Sequence, residues 1–533
     1  MKIKIPIISK FLNKRARNKL RVINRGYRQL KKEGKVELPM QLKVILSKIK
    51  LYDEGMPKEL LCQSDLDIEL SARQFLFERT LRLSFNKAIL YSVGSRKSLS
   101  HPLPKQWRNA MVKQGISVNN FNSAVLWHAY GFLFFGSGIL QGLKSTYFLL
   151  KKQPNLGKYI YFDKLVVGNM SIDPNKHNIV NWYLQWKNKS EKINSICHGV
   201  SSVPNFKLGD TIVVQTDELP RLKGLKLIQY IFFSVYASTY SFICLFFNPI
   251  YGCLMDDILK SKRIQLACSE DIAEDYLFSN SLPFYRPFWT YLAEEKGARI
   301  LFYFYSTNSE AMKTKSGRAV EYPWHLISWP YYLVWDEFQA DFIKKFDQHK
   351  AIIEEAGYIW FSSSDIDIDI DVPLNAIAVF DVIPFRGAKY IQLLVAPCFY
   401  VPKIANQFLN DIQEVLLGSS YNMVHKMKRA NIHTHKKYKN NIKVLEKSGG
   451  YQRINPDSDA RQLIQKSIAT ISMPFTSTAL IAQFEGKPSV YYDPSGMIQK
   501  EDRAAHGIPV LSGIDELQEW VKSICNSQKN NTQ

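Results

Sequence analysis

The seven cysteines are odd in number, scattered from Cys62 to Cys525, and never paired as CxxC. That pattern provides neither a zinc ribbon nor a disulfide framework, so reduced, buried thiols in a cytosolic compartment are expected. The chain also lacks a GxxxxGKS or GxxxxGKT phosphate loop, HExxH, GxSxG, a kinase signature and any internal repeat. P-loop NTPases, zincins, α/β-hydrolases and protein kinases are thereby set aside. No apolar run of useful length precedes Lys14 and Arg15, so a signal peptide is not expected. Acidic side chains are scarce at the start: the first fifty residues hold sixteen Lys or Arg against Glu33 and Glu37 alone.

What is present is a chain of 533 residues with 46% apolar and 13% aromatic side chains, enough for two or three folded domains. Most of the net charge of +22 sits in that first basic stretch. Leu20, Ile23, Tyr27 and Leu30 recur there at three- and four-residue intervals among Arg and Lys, the pattern of a basic amphipathic helix. An anionic membrane surface, a solvated helix packed on the body, and nucleic acid are the three readings. With only Phe11 and Tyr27 as aromatics, stacking on single strands is disfavoured, and no nucleic acid partner is expected.

Two uncharged runs follow. From Gln114 to Leu143 there is no Asp, Glu, Lys or Arg and one histidine, His128, and from Leu227 to Met255 there is none of the five. Both are long enough to cross a bilayer. Their Asn and Ser residues, among them Asn119, Asn120, Ser234 and Ser238, argue instead for buried or in-plane interfacial helices. With the basic start, they suggest a cytoplasmic protein peripherally attached to the inner membrane.

From Arg263 strands and helices alternate. Ile264 to Cys268 reads as a short strand, Pro287 to Lys296 as a helix ended by Gly297, and Ala298 to Tyr305 as a strand buried on both faces. Its carboxyl end delivers Ser306, Thr307, Asn308 and Glu310, where ligands of open α/β sheets gather. Ser362 to Asp371, SSSDIDIDID, places Asp365, Asp367, Asp369 and Asp371 along one extended face. At about 3.3 Å per residue these carboxylates are too spread to share one ion, so an interdomain linker is expected rather than a metal site.

A second sheet domain begins at Pro373. Its first strand ends at Asp381, and Asn422 to Lys428 is a later strand ending in Lys426, Lys428 and Arg429, a cationic cluster suited to a phosphate. His433 to Lys439 continues the charge in what reads as a loop. Asp459 to Pro494 then reads as helix, strand, turn, helix, strand. Ile468 to Met473 is apolar, Pro474 closes it, and Thr476, Ser477 and Thr478 bring three hydroxyls to a helix start, where unpaired amides favour an anion. Gly486 ends that helix. Residues after Ile524 are polar and expected to be disordered.

The run Pro474, Phe475, Thr476, Ser477 resembles the signature of the bacterial polysaccharide biosynthesis PFTS motif proteins, a family of GT-B glycosyltransferases. The stretches KPSVYYDP, EDRAAHGIPVLSG (Glu501 to Gly513), VFDVIPFR (Val379 to Arg386), RPFWTYLAEEKGARILFYFYSTNSE (Arg286 to Glu310) and WPYYLVWDEFQADFI (Trp329 to Ile343) are similar to that family as well. The resemblance covers about Arg286 to Trp520. It implies an α/β, GT-B-like fold of two Rossmann-like domains facing a cleft, with the nucleotide-sugar donor in the C-terminal one and a glycan or lipid-linked acceptor in the other. In GT-B enzymes that transfer sialic acid or Kdo, a Ser/Thr turn of this kind helps hold the phosphate of a CMP-sugar. The expected organisation is a basic segment (1–55), an acceptor-side domain (56–372), a donor-binding domain (373–522) and a tail (523–533). The expected donor site is Lys426, Lys428, Arg429, Pro474, Phe475, Thr476, Ser477 and Thr478, with Ser306, Thr307 and Asn308 in the cleft. Glu310, then Asp381, are the candidate bases, and no metal or cofactor is expected. The activity implied is sugar transfer in capsule or lipopolysaccharide assembly; a non-catalytic membrane-associated scaffold of a glycan assembly complex is the alternative.

Overall fold

A computed structural model describes residues 6–51, 57–61, 68–150, 158–163, 179–187, 195–199, 205–208, 210–279, 283–307, 309–317, 322–347, 350–359, 371–382, 384, 401–428, 434–456, 458–474 and 476–531. The chain forms two compact units. The first comprises Met1–Tyr305, Tyr322–Val334 and Ile343–Ser362; the second comprises Ser306–Glu321, Trp335–Phe342 and Ser363–Gln533. Two lengths of chain expected before the 372/373 boundary thus belong to the second unit. The first is tied there through backbone bonds, Lys315 N–H donating to the Met497 carbonyl (2.9 Å) and Gln499 N–H to the Lys313 carbonyl (2.9 Å), and the second through side chains, Arg503 donating to Asp341 (2.9 Å) and His506 meeting Asp336 (2.7 Å). The DIDIDID stretch lies outside the described residues except for Asp371.

In the first unit the basic start is one helix, Pro6–Lys32. Its apolar stripe is partly covered, with Tyr27 half-buried and Leu20 exposed. Ile23 and Leu30 are buried, and the helix crosses helix Leu83–Ser95 at two glycines. A Cβ on Gly26 would lie 2.0 Å from the Leu90 carbonyl oxygen, and one on Gly94 would lie 2.1 Å from that of Val22, so only glycine permits the approach. Ile23 and Leu30, two residues of the apolar face offered to a membrane by sequence, are therefore covered by protein, while Arg21, Arg25 and Arg28 point to solvent.

An eight-stranded sheet forms the core of this unit, in the order β3-β4-β2-β1-β5-β6-β7-β8. The strands are β1 Tyr159–Phe162, β2 Ser195–His198, β3 Phe206–Leu208, β4 Thr211–Gln215, β5 Asp275–Ser279, β6 Arg299–Tyr303, β7 Tyr331–Val334 and β8 Ile352–Glu355. All neighbours are parallel except β3 and β4. Ile264 to Cys268, expected as a strand, instead holds the last turn of helix Met255–Leu266 and the two residues that follow it. The i, i+4 pair of Asp256 and Lys260 supports the helix, and its inner face is held by tertiary ion pairs of Lys260 with Glu218 and of Arg263 with Asp217.

His101, in the same unit, is 6% exposed and donates from Nε2 to the Thr80 carbonyl at 2.7 Å. Burial pushes its imidazole down to about 4, more than the hydrogen bond to Thr80 raises it. Below the unfolded value of about 6.5 the unfolded chain takes up a proton that the folded one refuses. Stability is therefore lost as pH falls from about 6.5 towards 4, by up to about 3 kcal/mol from this residue. Urea midpoints at pH 7 and pH 4.5 are expected to differ by less in His101→Gln than in the parent chain; an unchanged difference rules out this contribution.

The second unit holds a fully parallel sheet in the order β11-β10-β9-β12-β13-β14. Its strands are β9 Ala376–Phe380, β10 Asn422–Lys426, β11 Tyr451–Ile454, β12 Ala469–Ser472, β13 Ser489–Asp493 and β14 Val510–Ser512. The expected helix–strand alternation of 459–494 is present, with Gly486 at φ 68° closing helix Thr478–Phe484. The expected loop at His433 to Lys439 is largely helix Lys436–Leu445, because Tyr438, Ile442 and Leu445 form a buried stripe and His435 caps its start; His433 lies outside the described residues. The expected disordered tail is likewise part of helix Ile514–Asn531, in which Leu517, Val521 and Ile524 are buried.

Candidate functional site

β12 ends at Ser472, and Met473, Pro474 and Thr476 lead into helix Thr478–Phe484. Thr476 is buried and its hydroxyl donates to the Met473 carbonyl at 2.7 Å. The Thr478 hydroxyl lies 2.8 Å from that of Ser472 and 3.3 Å from that of Thr476. Tyr491, on β13, donates to the Thr476 carbonyl at 2.9 Å. Two of the three expected anion-binding hydroxyls therefore shape the turn. Ser477 differs: it is half-buried, makes no helix-capping bond, and its hydroxyl lies 3.4 Å from that of Thr307. Phe475 lies outside the described residues.

Thr307 belongs to the chain that enters the second unit after β6, which also carries Ser306, Ser309 and Glu310. Gln339 anchors it, donating to the Ser309 hydroxyl at 2.7 Å and the Ser306 carbonyl at 3.3 Å. Asp336 accepts from the Gln339 amide at 2.9 Å, and its carboxylate meets His506 Nδ1 at 2.7 Å. His506 is 5% exposed and left-handed at φ 54°, with the Phe338 ring 5.9 Å away. Asp336 is also close enough to Tyr491 to raise its phenol further, beyond the larger effect of burial. Ser309 N–H donates to the Thr307 carbonyl at 2.7 Å, so Ser477, Thr307, Ser309, Gln339, Asp336 and His506 form one chain of polar contacts within the second unit, which Tyr491 joins at the Thr476 carbonyl.

Glu310 faces Lys313 Nζ at 3.8 Å, and the same ammonium bonds Asp502 at 2.9 Å. The hydrogen bond that the ammonium donates to Asp502 is the main cause that raises the lysine above its ordinary range, against partial burial and with help from Glu310. Asn308 lies outside the described residues.

The parallel register aligns Phe380 of β9 with both Lys426 of β10 and Ser472 of β12. The basic and the hydroxyl-bearing strand tips therefore share one edge of the sheet, two strand spacings or about 10 Å apart. Lys426 itself is nearly buried and donates to the Pro456 carbonyl at 2.9 Å, so its ammonium is committed to backbone. Lys428 is exposed, and Arg429 lies outside the described residues. Asp381 is not placed as a base: it is 1% exposed, accepts a hydrogen bond from Tyr438 and faces His425 Nε2 at 3.4 Å. The Tyr438 hydroxyl ties this carboxylate, at the end of β9, to helix Lys436–Leu445.

The first unit contains a cavity of about 690 Å³. Asp163, Gly199 and Thr216, which follow the carboxyl ends of β1, β2 and β4, line it together with Tyr285 and Trp289. Asp217 and Glu218 also reach it. Burial pushes the Glu218 carboxyl up, with Lys260 opposing. Burial acts on Asp217 as well, yet the Arg263 guanidinium holds it below its usual value.

Two α/β units, each built on a largely parallel sheet with polar side chains gathered at carboxyl ends, define the class of protein. The model of the family described as polysaccharide biosynthesis PFTS motif protein matches residues 238–521, more than half of the chain, and the protein belongs to that family. No curated protein matches it. Among solved structures it is similar to a variant of the wall teichoic acid polymerase TagF (10% identity, 76% of this chain and 90% of that one, TM-score 0.39). Others are the glycotransferase of kitacinnamycin (11%, 70% and 91%, 0.37) and S. aureus MnaA with UDP (10%, 70% and 89%, 0.36). At these scores the likenesses decide neither chemistry nor substrate.

Sequence singles out neither Asp336 nor His506, although both fall in stretches similar to the family. A histidine followed by Gly507, itself at φ 76°, was the available signal, since consecutive left-handed residues mark a turn built to aim a side chain.

Proposed function

We propose that the protein is a GT-B glycosyltransferase that moves a sugar from a nucleotide-sugar to a surface polysaccharide or lipid-linked glycan, with the donor held in the second unit. The observation that carries this reading is the meeting of Ser477 with Thr307, hydroxyls 170 positions apart, at the edge of a parallel sheet and in one network with the His506–Asp336 pair. Ligands of such sheets bind at this edge. In this reading Ser477, Thr307 and Lys428 bind the donor phosphate as negative charge builds on it. His506, oriented by Asp336, transfers a proton in the displacement. Glu310 is the alternative acceptor base. The aromatic and carboxylate lining of the first-unit cavity suits the hydroxyls and apolar faces of an acceptor sugar. A CMP-activated nonulosonic acid or a Kdo-like sugar is the donor class that a Ser/Thr turn favours.

Thermal-shift titration with CMP-, UDP-, GDP- and dTDP-sugars tests this. A true donor at a hundred times its dissociation constant adds about 2.7 kcal/mol of stability. Ser477→Ala is expected to lower donor affinity about tenfold, the worth of one charge-assisted hydrogen bond, with unliganded stability unchanged. If no nucleotide-sugar stabilises the parent chain, the enzyme reading fails and the scaffold reading stands.

A further inference from the structure

Helices Asn120–Leu150 and Gly224–Leu245 of the first unit are amphipathic the wrong way round for water. On the second, Tyr230, Ala237, Ser241 and Leu245 face inward, whereas Leu225, Ile228, Phe232, Val235, Phe242 and, just past its end, Phe246 form an exposed stripe at spacings of three, four and seven residues. The first repeats this with Phe121, Val125, Leu133, Leu140 and Leu143 outward. The helices are antiparallel neighbours: Phe132 packs on Phe242 and Phe246, while Leu149 lies with Tyr230. Their outward stripes therefore form a two-helix platform, far larger than a lone exposed side chain requires.

Charge indicates what covers it. Neither helix carries an acidic residue. Lys144 sits beside Leu143, Lys223 and Lys226 flank Leu225, and Lys262 lies 5.0 Å from the ring of Phe233. Apolar stripes bordered by cations complement an anionic lipid surface. The hydroxyls that speak against hydrocarbon are satisfied within the helix: Ser234 donates to the Tyr230 carbonyl (2.7 Å), Ser238 to that of Ser234 (2.6 Å) and Thr239 to that of Val235 (3.0 Å).

A span across the bilayer does not fit. Helix Asn120–Leu150 is keyed to the body by glycines, a Cβ on Gly131 falling 2.7 Å from Pro249 Cβ and one on Gly138 2.8 Å from Met255 Cβ. Its Ser145 joins the charged pair Arg263–Asp217. The body covers a narrow face of each helix, and the broad remainder is left for lipid.

We propose that these two helices form a monotopic docking platform that lies in the plane of an anionic bilayer, with the stripes at the acyl boundary and the lysines at headgroup level. Ser137 and Gln141, on the flank of the first helix, then open the first-unit cavity beside the headgroups.

The test needs no donor or acceptor, so its outcome is separate from that of the catalytic proposal. The full chain is floated with phosphatidylcholine vesicles containing 30% phosphatidylglycerol and with vesicles of phosphatidylcholine alone. Co-flotation is expected with the anionic vesicles, at least tenfold weaker with the neutral ones, and at least tenfold weaker in Phe232→Asp/Leu140→Asp with an unchanged melting temperature. The proposal is overturned if the double variant floats like the parent, or if carbonate at pH 11 fails to release the bound chain, the mark of a span. It is also overturned if the parent stays off vesicles as a dimer that the double variant converts to a monomer, because the platform then belongs to a second copy.

Discussion

Exchange of His506 for Gln is expected to slow sugar transfer by about 10²- to 10⁴-fold, the range over which a positioned proton-transfer group acts, while nucleotide-sugar binding persists. Asp336→Asn follows in the same direction with a smaller loss, because the imidazole keeps its place but loses the carboxylate that fixes its tautomer at Nδ1. Initial rates at saturating donor, together with donor-induced thermal shifts, separate the effects. A rate for His506→Gln within twofold of the parent removes the pair from the chemistry and returns the role of base to Glu310.

The second large effect concerns folding. Arg263 is 2% exposed and donates to the Pro220 carbonyl (2.7 Å), the Leu219 carbonyl (2.8 Å), Ser145 and Asp217. Arg263→Met removes every one of these donors and leaves the Asp217 carboxylate without its main partner. Breaking a buried pair from one side costs about 3–5 kcal/mol. Arg263→Met/Asp217→Leu is expected to recover part of this, since removing both charges also removes their desolvation cost. Urea unfolding followed by tryptophan fluorescence measures both; equal stability of Arg263→Met and the parent contradicts a structural role for the pair.

Reading the sequence located the hydroxyl turn and Thr307 independently because each lies just after a strand buried on both faces, a pattern carried by adjacent residues. Their meeting was not legible, since it depends on which strands neighbour β9 and on a return of the chain into the second unit. The same holds for His506 and Asp336, whose partnership spans 170 positions. Local ambiguity explains other differences. The apolar run at Ile264 fits strand or helix equally until Arg263 finds Asp217. The amphipathic stripe of Pro6–Lys32 announces a covered face without naming Gly94 as part of its cover. Composition marked the two uncharged runs, but only the three-dimensional arrangement shows that their bulky side chains point away from the core.

The return of residues 306–321 and 335–342 into the second unit has a bearing on how specificity is exchanged between relatives. A chimera with one crossover near residue 372 would take Thr307 and Asp336 from one parent and Ser477 and His506 from the other. Recombination that conserves the pairings must carry all three lengths together, and saturation libraries aimed at a new sugar should vary them jointly.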